Sequence, residues 1–430
     1  MNKNRYRKSE DFLSLALESI PLGSQTFSKS ITQLPFGVSP FYAKKAKGAY
    51  FWDIDNNKYL DFSNGLASVT LGYCDPDVDS AVKKQMKRGV TFSLSHTLEA
   101  DVAKMLIEAV PCAEQVRFAK NGTDATSGAI RVARAYTRRE RIAVCGYHGW
   151  QDWYIGSTTK NLGVPKCVQD LTHTFKYNSI DSLRNILREY PGEFAAVILE
   201  PMSGEYPKEN FLEKVKELAH NSGALLIFDE TVTGFRLSYG GAQELFDVIP
   251  DLATFGKGLA NGYPLSALVG KEKYMKVMKD IFFSGTFGGE TLSLAASKAV
   301  LVKIKRENVL EHLSKLGEYL HKELDQILDD LDVLSLISYT GHPTWSFLIF
   351  KDKDNTTSWE LKTFFMQEMF KRGIFTIGAQ TISYKHNKKD IDKLLHAYKE
   401  VFTMMKNYVK NGILQKKLDC EPLKPLFSVR

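Results

Sequence analysis

Several familiar sequence features are absent from this 430-residue chain. No apolar run is long enough to span a bilayer, and the polar N-terminal residues lack the hydrophobic core of a signal peptide. The five cysteines are scattered and form no CxxC pair, which argues against a disulfide framework and a zinc site. The patterns GxxxxGK(S/T) and GxGxxG are also absent, so neither a P-loop nor a nicotinamide site is expected. These absences predict a soluble cytoplasmic protein.

The composition is that of an ordinary globular protein, with 43% hydrophobic and 25% charged residues. The formal net charge of +7 is spread along the chain, because lysines and arginines are interleaved with acids. No basic stripe suited to nucleic acid is present, and a mildly positive field suits small anionic molecules. We therefore expect neither a nucleic-acid partner nor a membrane partner, and the length predicts two or three domains.

Short apolar runs alternate with amphipathic helical segments in the middle of the chain. Such runs fit strands that are buried on both faces of a parallel sheet, and their alternation with helices predicts a doubly wound α/β domain. The runs lie at residues 116–119, 142–145, 195–199, 224–228 and 267–269.

The two ends of the chain follow different patterns. Residues 49–62 predict a β-hairpin, because aromatic and aliphatic residues flank the turn formers at 55–57. Beyond residue 300 the apolar residues recur with the helical period over long segments, with a few strands between them. We predict a large α/β domain at residues 76–300 and a smaller α+β domain in which residues 1–75 pack with residues 301–430.

One lysine stands between two glycines directly after a short apolar run. Residues 252–255 predict a strand, and Gly256, Lys257 and Gly258 follow it. Glycine tolerates unusual dihedrals and has no side chain, so it lets backbone and ligand approach closely. A lysine that forms an imine with a carbonyl cofactor needs such a setting, because its amine must be desolvated and unobstructed. A solvated loop lysine is the alternative.

A second unusual sequence follows the predicted strand at 116–119. Residues 121–124, Asn-Gly-Thr-Asp, open an alanine-rich helical segment that runs to Thr137. Free N–H groups and the positive end of the dipole favour an anion at a helix start, so this turn predicts a phosphate site. A simple N-cap by Thr123 or Asp124 is the alternative.

Acidic residues follow two of the predicted strands. Glu200 comes directly after the run at 195–199, and Asp229 and Glu230 come directly after the run at 224–228. Ligands bind at the carboxyl ends of strands in open α/β sheets, so we expect these acids at the rim of a cleft. An imine-forming lysine, a phosphate-holding helix start and a buried acid together suit pyridoxal phosphate. Asp229 would keep the pyridine nitrogen of that cofactor protonated.

Aromatic residues follow the predicted strand at 142–145. The run Tyr147-His148-Gly149-Trp150 would lay an aromatic face on the cofactor ring, and ordinary loop aromatics are the alternative. The apolar run that ends in Asp229-Glu230 also resembles a Walker B strand, but the chain lacks the P-loop that such a strand needs.

The order and spacing of these segments resemble the class III, or ω-type, pyridoxal-phosphate aminotransferases. The resemblance is greatest to the branch that contains glutamate-1-semialdehyde aminomutase, and it covers nearly the whole chain. The motifs that carry it are Asn-Gly-Thr-Asp-Ala at 121–125, Tyr-His-Gly at 147–149, Glu-Pro at 200–201, Phe-Asp-Glu-Thr-Val-Thr-Gly-Phe-Arg at 228–236, Phe-Gly-Lys-Gly at 255–258 and Gly-Thr-Phe-Gly-Gly at 285–289.

The resemblance implies a fold-type I transferase with a mostly parallel central sheet, and a homodimer with active sites at the subunit interface. It implies that Lys257 forms the imine with the cofactor and moves the proton, and that Asp229 pairs with the pyridine nitrogen. The other positions implied at the cofactor are Asn121, Gly122 and Thr123 around the phosphate, Tyr147 and Thr231 on the two faces of the ring, His148, Glu200, and Thr286 at the phosphate of the neighbouring subunit.

The chain departs from the aminomutase pattern at segments that face the substrate. Lys29 replaces an arginine, Leu66 replaces a tryptophan, and Glu290 replaces the asparagine of Gly-Asn-Pro. A lysine in place of the arginine loses the bidentate fork for a carboxylate. With its sequences at 147–153 and 285–291, the chain resembles the sugar-modifying members of the branch, such as those that form 8-amino-Kdo for lipopolysaccharide.

This second resemblance predicts transfer of an amino group from L-glutamate to an aldehyde of a sugar or sugar acid, for example 8-oxo-3,8-dideoxy-octulosonate. Two other functions stay open. One is the aminomutase reaction, an internal amino shift without an external donor, and the other is a non-enzymatic pyridoxal-phosphate sensor or partner subunit. The residues expected at the substrate are Ser28, Lys29, Glu230 and Glu290.

Overall fold

The computed structural model describes residues 5–202 and 204–425. Its helices are α1 (Arg7–Leu17), α2 (Asn64–Ala67), α3 (Pro76–Met86), α4 (Thr97–Ala109), α5 (Gly122–Thr137), α6 (Asp152–Ile155), α7 (Lys166–Gln169), α8 (Ile180–Glu189), α9 (Phe211–Asn221), α10 (Ala242–Leu245), α11 (Glu272–Met275), α12 (Thr291–Arg306), α13 (Val309–Leu331), α14 (Ser358–Lys371) and α15 (Lys388–Lys410). Its strands are β1 (Ala43–Lys47), β2 (Tyr50–Asp53), β3 (Lys58–Asp61), β4 (Gln115–Ala119), β5 (Arg141–Cys145), β6 (Thr172–Thr174), β7 (Phe194–Leu199), β8 (Leu225–Asp229), β9 (Leu252–Phe255), β10 (Ser266–Gly270), β11 (Ile337–His342), β12 (Trp345–Phe350), β13 (Ile374–Phe375) and β14 (Ala379–Thr381).

The larger of two compact units comprises residues 67–70 and 76–310. It contains a seven-stranded sheet with the strand order β4-β10-β9-β8-β7-β5-β6. Strands β5, β6, β7, β8 and β9 are parallel to one another, whereas β10 is antiparallel to both β4 and β9. The sheet is therefore mostly parallel, and the predicted α/β fold is confirmed. The expectation that the run at 267–269 is a parallel strand is wrong, because only a short connection without a crossover helix separates β9 from β10.

Burial on both faces explains why the strands of this sheet read as apolar runs. Every residue of β7, β8, β9 and β10 is buried. Helix α5 packs against β7, β9 and β10, and its small residues Ala129 and Ala133 belong to a buried apolar cluster with residues of these strands. The polar ends of the strands are thus the places where this unit presents chemical groups.

The smaller unit comprises residues 5–66, 71–75 and 311–425 within the described chain. Strands β2 and β3 form the predicted antiparallel hairpin, in the sheet order β1-β2-β3-β13. A second sheet has the order β11-β12-β14, and α14 packs against α15, β12 and β13. The apolar residues of α15 that follow the helical period are buried, as the sequence pattern predicts.

We propose that these two units are the domains expected at residues 76–300 and at residues 1–75 with 301–430. The units differ from those bounds because residues 67–70 and 301–310 belong to the larger unit. Helix α12 accounts for the second difference, since it continues to Arg306 while packing on α3 and α4 of the larger unit. Across the described residues, no helix has both the length and the apolar character needed to cross a bilayer.

Candidate functional site

Five loops meet at one edge of the large sheet. Because β4, β5, β7, β8 and β9 run in the same direction, their carboxyl ends lie at the same edge. The predicted site residues of the larger unit, Thr286 and Glu290 apart, follow these strands directly. They are Asn121, Gly122 and Thr123 after β4, Tyr147 and His148 after β5, Glu200 after β7, Asp229, Glu230 and Thr231 at the end of β8, and Lys257 after β9.

Lys257 begins a short 3-10 turn and has a left-handed backbone, with a φ of 40°. A non-glycine residue in this region stores conformational strain, which is common at functional positions. Its glycine neighbours are needed for space, because a Cβ on Gly258 would lie 2.6 Å from Thr70 Oγ1. Burial lowers the pKa of the Lys257 amine, although Glu200 and Asp229 act in the opposite direction. This amine therefore releases its proton more readily than a solvated lysine does.

Asp229 is a buried carboxylate with several donors around it. Its Oδ1 accepts hydrogen bonds from the Thr231 N–H and from Thr254 Oγ1, both at 3.1 Å. Its Oδ2 lies 2.9 Å from Nδ1 of His148. Burial alone would raise the pKa of Asp229, but the hydrogen bonds and the His148 ring outweigh it and hold this pKa below its usual value. The carboxyl group is therefore kept ionised inside the protein.

The side chain of His148 makes a hydrogen-bond contact with the Asp229 carboxyl group and is only 1% exposed. The residue was expected to take part in an aromatic face, but its ring is a hydrogen-bond partner of the acid instead. Tyr147 is 52% exposed, and its N–H donates to Glu200 Oε1 at 2.8 Å. Burial, and then the nearby Asp229, raise the pKa of Glu200. Stacking of Tyr147 on a ring stays a prediction.

The start of α5 lies next to the turn that carries Lys257. A Cβ on Gly122 would lie 3.0 Å from Cγ2 of Thr231, and a Cβ on Gly256 would lie 3.2 Å from the same methyl group. Thr231 therefore touches both the helix start and the glycine before Lys257. The N-cap residue of α5 is Asn121, so neither Thr123 nor Asp124, the two caps considered from the sequence, occupies the N-cap position. Asp124 accepts the Asn121 N–H at 2.8 Å as the third helical residue.

The segment that carries Thr286 lines a cavity of about 760 Å³. Lys120, Asp124 and Gln151 line the same cavity, together with residues 91–95. Glu290 has other contacts: its oxygens accept the N–H groups of the first turn of α12, and Oε2 lies 3.0 Å from Lys120 Nζ. Because both oxygens are used in this way, the placement of Glu290 disfavours a substrate contact, which stays a prediction.

Glu230 points away from Asp229 and into the loop that precedes α10. It is fully buried, and it accepts hydrogen bonds from Thr233 Oγ1, the N–H groups of Ala242 and Gln243, and Gln243 Nε2. Burial raises the pKa of Glu230, while these donors act in the opposite direction. The expected substrate contact of Glu230 is disfavoured by this placement, since its carboxyl oxygens hold the loop together.

The remaining expected substrate residues belong to the smaller unit. Ser28 and Lys29 lie in the exposed 3-10 turn Phe27–Lys29, and their contact with substrate stays a prediction. Sequence reasoning missed two contacts of the site. Thr254 donates a hydrogen bond to Asp229, and the carbonyl oxygen of Cys145 lies 3.1 Å from Nε2 of His148. Thr254 offered a signal, because it is a polar residue inside a buried apolar strand.

These side chains fit pyridoxal phosphate. The cofactor needs an amine that loses its proton easily, an ionised acid for its ring nitrogen and an anion site for its phosphate. The structure supplies these in Lys257, Asp229 and the start of α5, around Thr231. At the carboxyl edge of a mostly parallel sheet, this set defines a fold-type I pyridoxal-phosphate transferase.

Comparison with known proteins gives the family. The sequence profile of the class-III aminotransferase family matches residues 35–395, so the chain belongs to that family. A 3-aminobutyryl-CoA aminotransferase of Cloacimonas acidaminovorans is 34% identical over 94% of this chain and 99% of its own length. A glutamate-1-semialdehyde 2,1-aminomutase of Methanosphaera stadtmanae is 33% identical over 89% of this chain and 98% of its own. The solved FumI protein of Sphingopyxis sp. MTA144 superposes with a TM-score of 0.87 at 26% identity, over 97% of this chain and 99% of that one.

The chain is therefore a pyridoxal-phosphate-dependent aminotransferase, as the sequence motifs predicted. The non-enzymatic alternative is set aside. The narrower prediction of a sugar-acid acceptor is a separate question, since neither of the two relatives described above is named for such a substrate.

Proposed function

We propose that Lys257 and Asp229 are the catalytic residues of this aminotransferase. Lys257 would hold the cofactor covalently through Nζ, and Asp229 would accept a hydrogen bond from its ring nitrogen. Asn121, Gly122 and Thr123 would hold the phosphate at the start of α5. The observation that carries this proposal is the contact of Thr231 with both Gly122 and Gly256, because it joins the helix start to the lysine turn beside Asp229.

When bound, pyridoxal phosphate accepts the electrons that remain after a proton leaves the substrate carbon. The chain's own residues move that proton and tune the site. Lys257 is the general base and acid, and its lowered pKa keeps part of the amine uncharged and able to accept a proton. Asp229 stays ionised and so favours a protonated ring nitrogen. Glu200, whose pKa burial raises, lies close enough to Lys257 to influence the charge of its amine.

For the substrates, we propose L-glutamate as donor and an aldehyde of a sugar or sugar acid as acceptor, as in the formation of 8-amino-Kdo. The support is the set of departures from the aminomutase pattern at Lys29 and Leu66. A second acceptor class has support of a different kind. The 34% identity to a 3-aminobutyryl-CoA aminotransferase favours a 3-oxoacyl thioester. The 33% identity to an aminomutase keeps glutamate 1-semialdehyde as a third candidate.

A single-turnover absorption measurement separates these candidates. The purified protein is loaded with pyridoxal phosphate, and its visible band is followed after addition of L-glutamate, 3-aminobutyryl-CoA or glutamate 1-semialdehyde alone. Bleaching by L-glutamate supports the proposed donor, and the bleached enzyme is then offered each acceptor in turn. If only 3-aminobutyryl-CoA bleaches the band, the result favours a 3-oxoacyl thioester as the acceptor. Turnover of glutamate 1-semialdehyde without any donor identifies an aminomutase and contradicts the proposal.

We also propose a homodimer in which Thr286 reaches the phosphate of the partner subunit. The support within one chain is the exposed segment around Thr286, which carries Phe282 at 83% and Phe287 at 58% exposure. Exposed aromatic residues on a segment that lines a cavity suit a covered surface. Light scattering during size-exclusion chromatography gives the mass directly. A monomer that still binds pyridoxal phosphate tightly and turns over would contradict the shared site.

A further inference from the structure

Thr286 lies on an exposed segment of the larger unit. We define the Thr286 segment as residues 282–290, which directly precede α12. Residues 284–287, at the centre of this segment, are all exposed. Because an exposed stretch has little packing of its own, the position of Thr286 depends on how the two ends of the segment are held.

Two arginines and a glycine hold the first end of the Thr286 segment. Arg131 of α5 donates from Nη1 to the carbonyl oxygen of Phe282 at 2.7 Å. Arg117 of β4 donates from Nη2 to the carbonyl oxygen of Phe283 at 2.8 Å. The ring of Phe283 packs on α5, because a Cβ on Gly128 would lie 2.9 Å from Cζ of that ring. This end is therefore fixed to β4 and α5.

Glu290 holds the other end of the segment. As the N-cap residue of α12, it accepts the Leu292 N–H at 2.6 Å with Oε1 and the Ser293 hydroxyl at 2.7 Å with Oε2. Oε2 also accepts a hydrogen bond from Lys120 Nζ at 3.0 Å. The second end is therefore tied to α12 through the cap and to the residue after β4 through Lys120.

The contact between Lys120 and Glu290 is a partly buried ion pair. The two side chains are 19% and 13% exposed, so solvent ions screen their attraction less than at an open surface. Burial alone would raise the pKa of Glu290, but hydrogen bonds from Ser293 and Lys120 outweigh it and hold this pKa below its usual value. The carboxyl group is therefore ionised at neutral pH.

Lys120 directly precedes the start of α5, where the phosphate is expected. Its N–H and that of Asn121 both donate to Asp124 Oδ2, at 3.2 and 2.8 Å. The backbone of Lys120 thus belongs to the helix start, while its side chain reaches Glu290 across 170 positions of the chain. One residue therefore joins the helix start of a subunit to the segment that carries Thr286.

We propose that Lys120 and Glu290 are positioning residues that set the place of Thr286 relative to the start of α5. The inference rests on the proposed function, in which the start of α5 holds the subunit's own cofactor and Thr286 reaches the phosphate of the partner subunit. The ion pair then connects two phosphate contacts that one chain makes at two different sites. Loss of the pair should leave the subunit's own helix start in place and weaken the site of its partner.

A double-mutant cycle on pyridoxal-phosphate affinity tests the route through Thr286. Glu290→Gln keeps an acceptor oxygen for the first turn of α12 but removes the charge that pairs with Lys120. We expect it to weaken binding to the apo-protein by about fivefold or more. In the Thr286→Val background its effect should be below about twofold, because the hydroxyl that the pair positions is gone. The matched control is Asp101→Asn, which breaks a 2.6 Å pair of α4 with Lys298 of α12 and should leave affinity unchanged.

Mixed dimers test whether the effect reaches the partner subunit. Two differently tagged chains are co-expressed, and one carries Lys257→Ala, so that only the other forms the imine with the cofactor and shows its visible band. With Glu290→Gln added to the Lys257→Ala chain, we expect the cofactor of the other subunit to dissociate about fivefold faster. With Glu290→Gln placed in the chain that keeps Lys257, we expect the wild-type rate. A defect in the second mixture alone, or in neither, would overturn the inference.

The Thr286→Val variant separates this inference from the proposed function. If it binds pyridoxal phosphate as tightly as the wild type does, the proposed phosphate contact fails, and the inference fails with it. If it weakens binding but Glu290→Gln does not, the phosphate contact stands and the positioning role alone is refuted. Unchanged affinity with an altered KM in Glu290→Gln would refute that role in favour of the predicted substrate contact. Far-ultraviolet circular dichroism of each variant establishes that the fold is retained.

Discussion

Replacement of Glu230 by glutamine should destabilise the protein without touching its substrate. Glutamine keeps one acceptor oxygen but sets an NH₂ group against an N–H that Glu230 now binds, that of Ala242 at 2.6 Å or that of Gln243 at 3.0 Å. An unsatisfied buried donor costs about 1–3 kcal/mol, and weaker hydrogen bonds at the remaining contacts add to that cost. We expect a total of about 3 kcal/mol. For a unit of this size, that corresponds to a fall of about 6–12 °C in melting temperature.

Differential scanning fluorimetry of the apo-protein measures this shift, and steady-state kinetics with the best donor measures KM. The matched control is Glu244→Gln, since Glu244 accepts the N–H of Gly240 at 2.7 Å in the same loop but is exposed. The control should shift the melting temperature by no more than about 2 °C, as surface changes usually do. A Glu230→Gln variant that melts like the wild type but has an altered KM would refute the structural role and restore the substrate contact.

Three further predictions concern the site itself. Lys257→Ala should stay folded and lose transamination, because the loop between β9 and β10 contains no other lysine. Full turnover in this variant would reject the proposed role of Lys257. The rate at which pyridoxal phosphate attaches to the apo-protein should decrease as pH falls, because only the uncharged amine of Lys257 reacts. Burial lowers the pKa of Lys257, so this decrease should occur at a lower pH than for a free lysine. A stopped-flow pH series that matches N-acetyl-lysine would contradict this. Gly149→Ala should weaken phosphate binding severely. The φ of Gly149 is 109°, and a Cβ at this position would lie 2.3 Å from Thr123 Oγ1. Unchanged affinity for inorganic phosphate would count against the start of α5 as the anion site.

The strand ends show how far the sequence alone determines the site. Apolar runs followed by unusual residues were enough to predict the α/β fold and the cofactor, and the resemblance of the motifs to the class III aminotransferases predicted the enzyme class. The sequence assigned Asp229 to the cofactor ring and Glu230 to the substrate, but the structure places the Glu230 carboxyl group among the donors of a loop. Successive side chains of a strand point to opposite sides, so one acid faces the site and the other faces a loop. Only the fold shows which is which.

Two side-chain contacts between distant segments were not predicted. His148 and Asp229 are separated by 81 positions, and Lys120 and Glu290 by 170. Both pairs depend on which strands are neighbours and on where each loop turns, and neither is encoded in local periodicity. The antiparallel direction of β10 was missed for the same reason, since its apolar composition resembles that of its parallel neighbours.

The dispersal of the site over several strand ends affects how the protein is assembled in the cell. The start of α5, His148, Asp229 and Lys257 come together only when β4, β5, β8 and β9 have all joined one sheet. Such long-range pairing is slow, and a partly built sheet has no place for the cofactor. At the proposed site, pyridoxal phosphate would therefore bind only the completed sheet and stabilise it by mass action. Cells short of the vitamin from which it is made should then contain less of this enzyme, in addition to enzyme of lower activity.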